Sequence, residues 1–235
     1  THVNGVLTVT PASLVNSFTN STSITIPALG AATVYPLVIP VSGLAGHITG
    51  VKVSLLGLNH TWPDDLDVLL VGPNNNSVLL MSDVGGSADL INLPLTFSDA
   101  ASSSLPDNAQ VVAGSYKPTN VGTGDTFSTP APAGPYGTSL AVFNQLSPNG
   151  NWSLYIVDDE AGDQGSMTGG WSLEITTALD NALPTISDIV DQATTAGVPS
   201  ASIPFTVGDL ETPVANLVIS GTSSDQALVP NGNLV

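Results

Sequence analysis

Residues 151–175 read NWSLYIVDDEAGDQGSMTGGWSLEI, and both ends of this stretch keep a period of two. Trp152, Leu154 and Ile156 alternate with Ser153, Tyr155 and Val157, and Trp171, Leu173 and Ile175 alternate with Ser172 and Glu174. Successive side chains of an extended chain point to opposite faces, so this pattern suits strands with one face in a core. The spacing predicts two strands, 152–157 and 171–175, paired as a hairpin around an acidic, glycine-rich loop. Asp158, Asp159, Glu160 and Asp163 crowd that loop. Their charges repel unless water or a cation screens them, and oxygen-rich turns are what hard cations such as calcium take as ligands. A solvated acidic loop is the alternative that spacing leaves open.

The rest of the chain repeats this grammar. Short β-prone runs are punctuated by 23 glycines and 18 prolines, and no stretch sustains a helical period. The expected class is all-β. Only Lys52 and Lys117 oppose 19 acidic residues, for a net charge of -17. Such a chain cannot neutralise phosphates, which excludes nucleic acid as a partner, and anionic membrane surfaces would repel it. Self-repulsion on this scale destabilises a compact state unless cations relieve it. No apolar run approaches the roughly eighteen residues that span a bilayer. No basic, apolar leader opens the sequence, as expected of a processed secreted chain.

Runs at 6–10, 24–26, 34–41 and 47–58 are the first expected strands, with 16–23 read as a polar loop. Residues 68–71 and 78–81 flank Gly72-Pro73-Asn74-Asn75-Asn76, a hairpin signature. Its two open ends lie side by side, which brings Asp65 or Asp67 close to Asp83, a second candidate cation site, with a plain polar rim as the alternative. Residues 100–138 are rich in glycine and proline. A loop of that length inside one domain is uncommon unless it covers something. Residues 139–143 read as another short strand. Gly137-Thr138-Ser139-Leu140-Ala141 resembles the serine motif of subtilisin-like proteases, but none of His2, His47 and His60 has the sequence context of the base that such a serine requires. Of the tryptophans, Trp62 is the one expected to be exposed.

Taken together, residues 48–58, His60-Thr-Trp-Pro-Asp-Asp-Leu-Asp67, Leu70-Val-Gly-Pro73, Thr96-Phe-Ser-Asp99, Gly114-Ser-Tyr-Lys-Pro118, Gly150-Asn-Trp-Ser-Leu-Tyr-Ile-Val-Asp158, Asp163-Gln-Gly165 and Trp171-Ser-Leu-Glu-Ile175 resemble the P domain, or homo-B domain, of proprotein convertases. The resemblance spans roughly residues 20–178. It implies a jelly-roll β-sandwich of about eight strands, without catalysis of its own, that stabilises a neighbouring protease where one is present. It also implies structural calcium, carried by Asp65 and Asp67, by Asp99, and by Asp158 and Asp163. Hairpin geometry adds Asp83 to that metal set.

Residues 179–183 read as a linker. Residues 184–235 resemble the first half of a bacterial immunoglobulin-like or cadherin-like repeat, on Leu183-Pro-Thr-Ile-Ser-Asp-Ile, Ile203-Pro-Phe-Thr-Val-Gly-Asp209 and Ser223-Ser-Asp-Gln-Ala-Leu-Val-Pro230. Only three or four of the about seven strands of such a sandwich fit. Residues 1–19 are then a β extension whose Val6, Leu7 and Val9 have the alternation of a donor strand. The expectation is that the first 15 residues of one copy complete the terminal segment of the next; pairing within their own chain is the alternative. The whole reads as a non-catalytic, calcium-stabilised, secreted or surface subunit of a filament or adhesin, associating with itself or with neighbouring domains. The alternatives are an accessory domain of a secreted protease and a carbohydrate-binding module.

Overall fold

The computed structural model describes residues 3–5, 13–180, 182–190, 192–195, 197–198, 201–227 and 230–231. In chain order the strands are β1 (Val3–Gly5), β2 (Ser13–Asn20), β3 (Ile24–Ile26), β4 (Gly30–Ala31), β5 (Leu37–Val41), β6 (His47–His60), β7 (Leu66–Val71), β8 (Ser77–Ser82), β9 (Leu90–Phe97), β10 (Gly114–Tyr116), β11 (Thr119–Asn120), β12 (Gly150–Asp158), β13 (Gly165–Met167), β14 (Trp171–Ala178), β15 (Thr185–Ile186), β16 (Val207–Gly208) and β17 (Gly221–Ser223). The only helical elements among the described residues are three short 3-10 helices. The chain is all-β and divides into two units, residues 13–178 and a smaller one drawn from both ends of the chain.

The larger unit is a sandwich. One sheet has seven strands and runs β10-β9-β6-β13-β3, with β14 joining β6 to β2. The other has six and runs β11-β8-β7-β12-β4, with β5 also on β12. Alternate residues of both sheets face one continuous core, including Val53, Leu55, Phe97, Leu173 and Ile175 from the first and Leu70, Trp152, Leu154 and Ile156 from the second. The two runs that define residues 151–175 are therefore strands, but not a hairpin. β12 pairs with β5 and β7, whereas β14 pairs with β6 and β2 in the opposite sheet. Their tryptophans meet the same core from opposite sides, so alternation alone could not tell facing strands from paired ones.

Two further local expectations change. Residues 13–20 are strand β2, paired with β14 along its whole length, so the polar loop expected over 16–23 is strand as far as Asn20. β2 lies at the edge of its sheet and leaves Leu14 and Val15 exposed along with its polar side chains, so its extended form comes from pairing rather than from a buried apolar face. Residues Leu140–Phe143 form a 3-10 helix, not a strand. The Ser139 hydroxyl caps it by accepting from the Ala141 amide. The β7–β8 hairpin is as the sequence reads, with Asn75 in the left-handed region (φ +63) at its turn.

β7 departs from simple alternation, because every one of its residues is buried. Its inward face joins the main core, while Leu69 and Val71, with Leu79 and Tyr155, form a second apolar cluster on the outer face of the sheet. Phe127, Ala131 and Tyr136, from the long glycine- and proline-rich segment, cover that cluster. The cover is tied to the sheet by Tyr155, whose hydroxyl donates to the Pro130 carbonyl at 3.4 Å, and by Tyr35, which donates to the Ser128 carbonyl at 3.0 Å.

In the smaller unit β1 runs antiparallel to β17 and β15 antiparallel to β16. β1 thus pairs with its own chain, on the segment that the head-to-tail expectation assigned to a neighbour's strand. Val6, Leu7 and Val9 lie outside the described residues. No large apolar side chain described in this unit is buried; Leu183, Val190, Leu210, Val214 and Val218 are all exposed.

Trp152 is fully buried, packs on Phe143 with ring centroids 4.8 Å apart, and donates its indole hydrogen to the Pro148 carbonyl. Trp152→Ala is expected to cost the sandwich about 3–5 kcal/mol, measured by urea unfolding of residues 13–178. A loss below 1 kcal/mol, on the order of a surface change, would contradict the packing described.

Candidate functional site

The candidate site lies at one end of the sandwich, and strand direction explains why. β7 is antiparallel to both β8 and β12. The start of β7 therefore meets the ends of its two neighbours, with Asp67 opposite Val157 and Leu66 opposite Asp158. β11 lies parallel to the end of β8, which sets Asn120 against Ser82. β6 ends at His60, and a 3-10 helix, Pro63–Asp65, turns the chain into β7. Five short segments thus deliver their polar residues to one rim.

The first cluster centres on Asp158, which is fully buried. Its Oδ2 accepts from His60 Nε2 at 3.0 Å, and its Oδ1 has no partner. His60 is 1% exposed, and its Nδ1 meets both the carbonyl (2.8 Å) and the amide (3.2 Å) of Trp62. Asp65 stands within electrostatic reach of Asp158, Asp163 and Asp159. Thr61 Oγ1 donates to Asp163 Oδ1 at 2.8 Å. The Asp159 amide donates to the Asp65 carbonyl, locking the loop after β12 to the 3-10 helix. Trp62 itself is 43% exposed.

The second cluster centres on Asp67, 1% exposed, whose Oδ2 also has no partner. Ser82 Oγ lies 2.6 Å from Asp67 Oδ1, 2.7 Å from Asp125 Oδ1 and 3.2 Å from Asp83 Oδ2. A hydroxyl has one hydrogen to donate. The remaining short contacts set oxygen against anionic oxygen and need a proton or a cation between them. Asn120 donates from Nδ2 to Asp125 Oδ2 at 2.9 Å, and its buried Oδ1 is unpartnered.

The electrostatics agree with the geometry. Burial pushes the Asp67 carboxyl up to about 7 against the restraint of the Ser82 hydrogen bond, and the charges of Asp159, Asp125 and Asp83 push the same way. Burial and the Asp158 charge raise Asp65 to about 6. Asp83 and Asp158 are also raised, each chiefly by burial. A carboxylate cluster without counter-charge is thus driven toward its neutral form.

Of the residues that sequence reading assigned to metal, Asp65, Asp158 and Asp163 gather in the first cluster and Asp67 and Asp83 in the second. Asp99 joins neither. Its carboxylate accepts from Ser139 Oγ and from the Leu140 and Ala141 amides, capping the 3-10 helix. Sequence reading missed Asp125, Asn120 and Ser82, and it did not anticipate the pairing of His60 with Asp158. Only β11–β8 pairing brings the first two to the rim, and nothing local in the sequence signals it.

Among the described residues, no three His, Asp or Glu side chains close on a common point that could hold a metal ion by themselves. Calcium, however, also takes backbone and amide carbonyl oxygens and water beside carboxylates. The bare oxygens of Asp158, Asp67 and Asn120 fit that donor chemistry.

No family model matches the sequence, and no curated protein matches it. Two solved structures of the serine protease of Aeromonas sobria, one in complex with a chaperone, are 16% and 14% identical to it over 72% of this chain. Their TM-scores are 0.34 and 0.33, and this chain spans about a quarter of those chains (27% and 28%). A likeness of that size carries no argument about function.

Metal-free protein should lose stability as pH rises. Asp65 and Asp67 titrate in the fold at about 6 and about 7, against 3.8 ordinarily. Between those limits the folded state binds more protons than the unfolded chain, so the slope of unfolding free energy against pH is negative. In chelator, the melting temperature at pH 5 is expected to exceed that at pH 8 by about 2 °C or more, with a smaller difference in Asp67→Asn. Equal melting temperatures would remove the buried charges from the account.

Proposed function

We propose that the chain is a non-catalytic, calcium-stabilised β-sandwich module of an extracellular structural assembly. The observation that carries this reading is the pair of buried carboxylates, Asp158 and Asp67, each with an oxygen that no protein group satisfies. A bare anionic oxygen in the interior is costly unless a cation sits against it. Bound calcium supplies fixed positive charge at the rim. The residues that would hold it are Asp65, Asp158 and Asp163 on one side and Asp67 and Asp83 on the other. The high calcium outside cells suits a site assembled from loops, since extracellular modules work with weak affinities.

The groups that could have served catalysis are engaged by other protein groups. His60 spends both ring nitrogens on the protein, and the Ser139 hydroxyl is held by Asp99. No helix among the described residues is long and apolar enough to cross a membrane. For assembly, the exposed apolar side chains of the smaller unit favour association through that unit. The β1–β17 pairing supplies a means, since the same strand exchanged between copies would link them head to tail.

Calcium added to chelator-treated protein is expected to raise the melting temperature by several degrees, and magnesium by less. At a hundredfold excess over Kd, ligand linkage is worth about 2.7 kcal/mol. Asp158→Asn should reduce the calcium shift. No shift with any divalent ion would overturn the reading. Assembly is checked separately by electron microscopy of the native protein and of a variant lacking residues 1–12. Filaments that vanish with the deletion support strand exchange, and dispersed particles in both count against it.

A further inference from the structure

A strand at the edge of a sheet presents a row of backbone amides and carbonyls to which another strand can add, so sheets guard their edges. Most edges of this sandwich are guarded or too short to template a strand. β4, β10 and β11 have only two or three residues. β3 is closed by Thr33, whose amide donates to the Thr25 carbonyl and whose hydroxyl accepts from the Thr25 amide, both at 2.9 Å. β5 carries Pro40, which has no amide hydrogen to offer. β2 has none of these devices. It is eight residues long, pairs only with β14, and keeps one register throughout. Residues 13–20 include no proline, glycine or charged side chain. Among the described residues, no backbone group bonds residues 13–19 from the far side. Pairing with β14 sets Asn16 beside Ile175 and Phe18 beside Leu173, both core residues. Leu14, Asn16 and Phe18 therefore share the core side of β2, and Val15 and Ser17 the outer side. Leu14 is 52% exposed and Val15 60%.

We propose that β2 is a docking edge for β2 of a second copy of this chain, the two strands running antiparallel about a two-fold axis so that two seven-stranded sheets become one. Charge selects the occupant. A net charge of -17 makes most contacts between copies repulsive. This edge is an exception: the one charged side chain of β2 and β14 is Glu174, and Lys52 meets it at 2.8 Å. A basic strand finds no free carboxylate here to prefer, whereas an uncharged strand of the same composition meets no repulsion. The sequence also offers a two-fold register. Centred on Asn16, it sets Leu14 of each copy opposite Phe18 of the other on the core side, and Val15 opposite Ser17 outside. Leu14 gains an apolar cover, and Phe18, which already packs on the core, carries that core across the axis. An isologous contact of this kind closes on itself and yields dimers rather than filaments. A single strand pair buries an area at the low end for protein interfaces, so the dimer is reversible. The contact uses no residue of the acidic rim and none of the smaller unit, and it stands or falls independently of calcium and of strand exchange.

The test is sedimentation equilibrium of the full chain, in which a reversible monomer–dimer equilibrium is expected. Val15→Asp places like charges near the axis and should weaken the dimer at least about tenfold, with the melting temperature unchanged because Val15 is exposed. The chain has no cysteine, so one introduced thiol reports the register. Mild oxidation should cross-link Asn16→Cys to its own copy. Ser13→Cys lies opposite Thr19 in that register, about 20 Å from its counterpart, and should stay unlinked. A chain that remains monomeric up to about 1 mM overturns the proposal. A dimer undiminished by Val15→Asp, or one that cross-links Ser13→Cys as fast as Asn16→Cys, lies elsewhere and overturns it as well. A dimer lost on removing residues 1–12 but indifferent to Val15→Asp belongs to strand exchange through the smaller unit instead. Should Val15→Asp not fold, the two cysteine variants decide.

Discussion

β7 is buried at all six positions, so the sheet that carries it needs a cover on each face. A strand flanked by water on one side can alternate apolar and polar residues, but Leu-Asp-Val-Leu-Leu-Val cannot be satisfied that way. The seven-stranded sheet covers one face. The other is closed by a segment that has almost no backbone ladder of its own and relies on side chains: the phenols of Tyr35 and Tyr155 reaching its carbonyls, and aromatic contacts such as Phe127 edge-on to Tyr136 at 5.4 Å. A cover made of turns opens more readily than a strand unless something pins it. The rim is where it can be pinned, because that is where its polar residues meet the ends of β7 and β8.

The same rim gathers the strongest electrostatic conflict in the sandwich. Asp67 sits in an otherwise apolar strand, opposite Val157, and burial alone would make it a poor choice there. Its neighbours make matters worse, since Asp83, Asp125 and Asp159 all bring charge of the same sign. Asp158 differs in having His60 as a partner, which a protonated ring would make an ion pair. That difference separates the two clusters chemically. One has a protein group able to compensate part of its charge, and the other has only a hydroxyl and an amide. The second therefore holds the larger share of charge that no protein group offsets.

Much of the sandwich was legible in the sequence because period-two alternation and glycine–proline punctuation are local signals. The β7–β8 hairpin and its acidic ends could be read from one short stretch. The resemblance to P domains drew its acidic residues from separate blocks, and two of those blocks, carrying Asp65 and Asp158, meet at the rim. What alternation cannot encode is which strands pair. Trp152 and Trp171 serve one core from two sheets, and the sequence between them reads equally well as a hairpin or as a crossing. Edge strand β2 was invisible for a related reason, since its extended form is imposed by β14. Asp125 and Asn120 belong to the least patterned part of the chain, and only the parallel pairing of β11 with β8 gives them their role. Asp99 shows the converse, an acidic residue in a suggestive block whose carboxylate is fully used in capping a 3-10 helix.

The two units solve the problem of burial differently. In the sandwich, two sheets and a pinned cover bury large side chains almost completely. In the smaller unit, strands of two or three residues hold backbone register but enclose no described apolar side chain. Backbone pairing of that length is marginal without a buried face. Its exposed leucines and valines belong to a chain whose net charge of -17 otherwise favours solubility, so apolar exposure gathers in this unit and buried charge in the sandwich. Burial is thus concentrated in the sandwich, and the short strands of the smaller unit hold their register by backbone pairing alone.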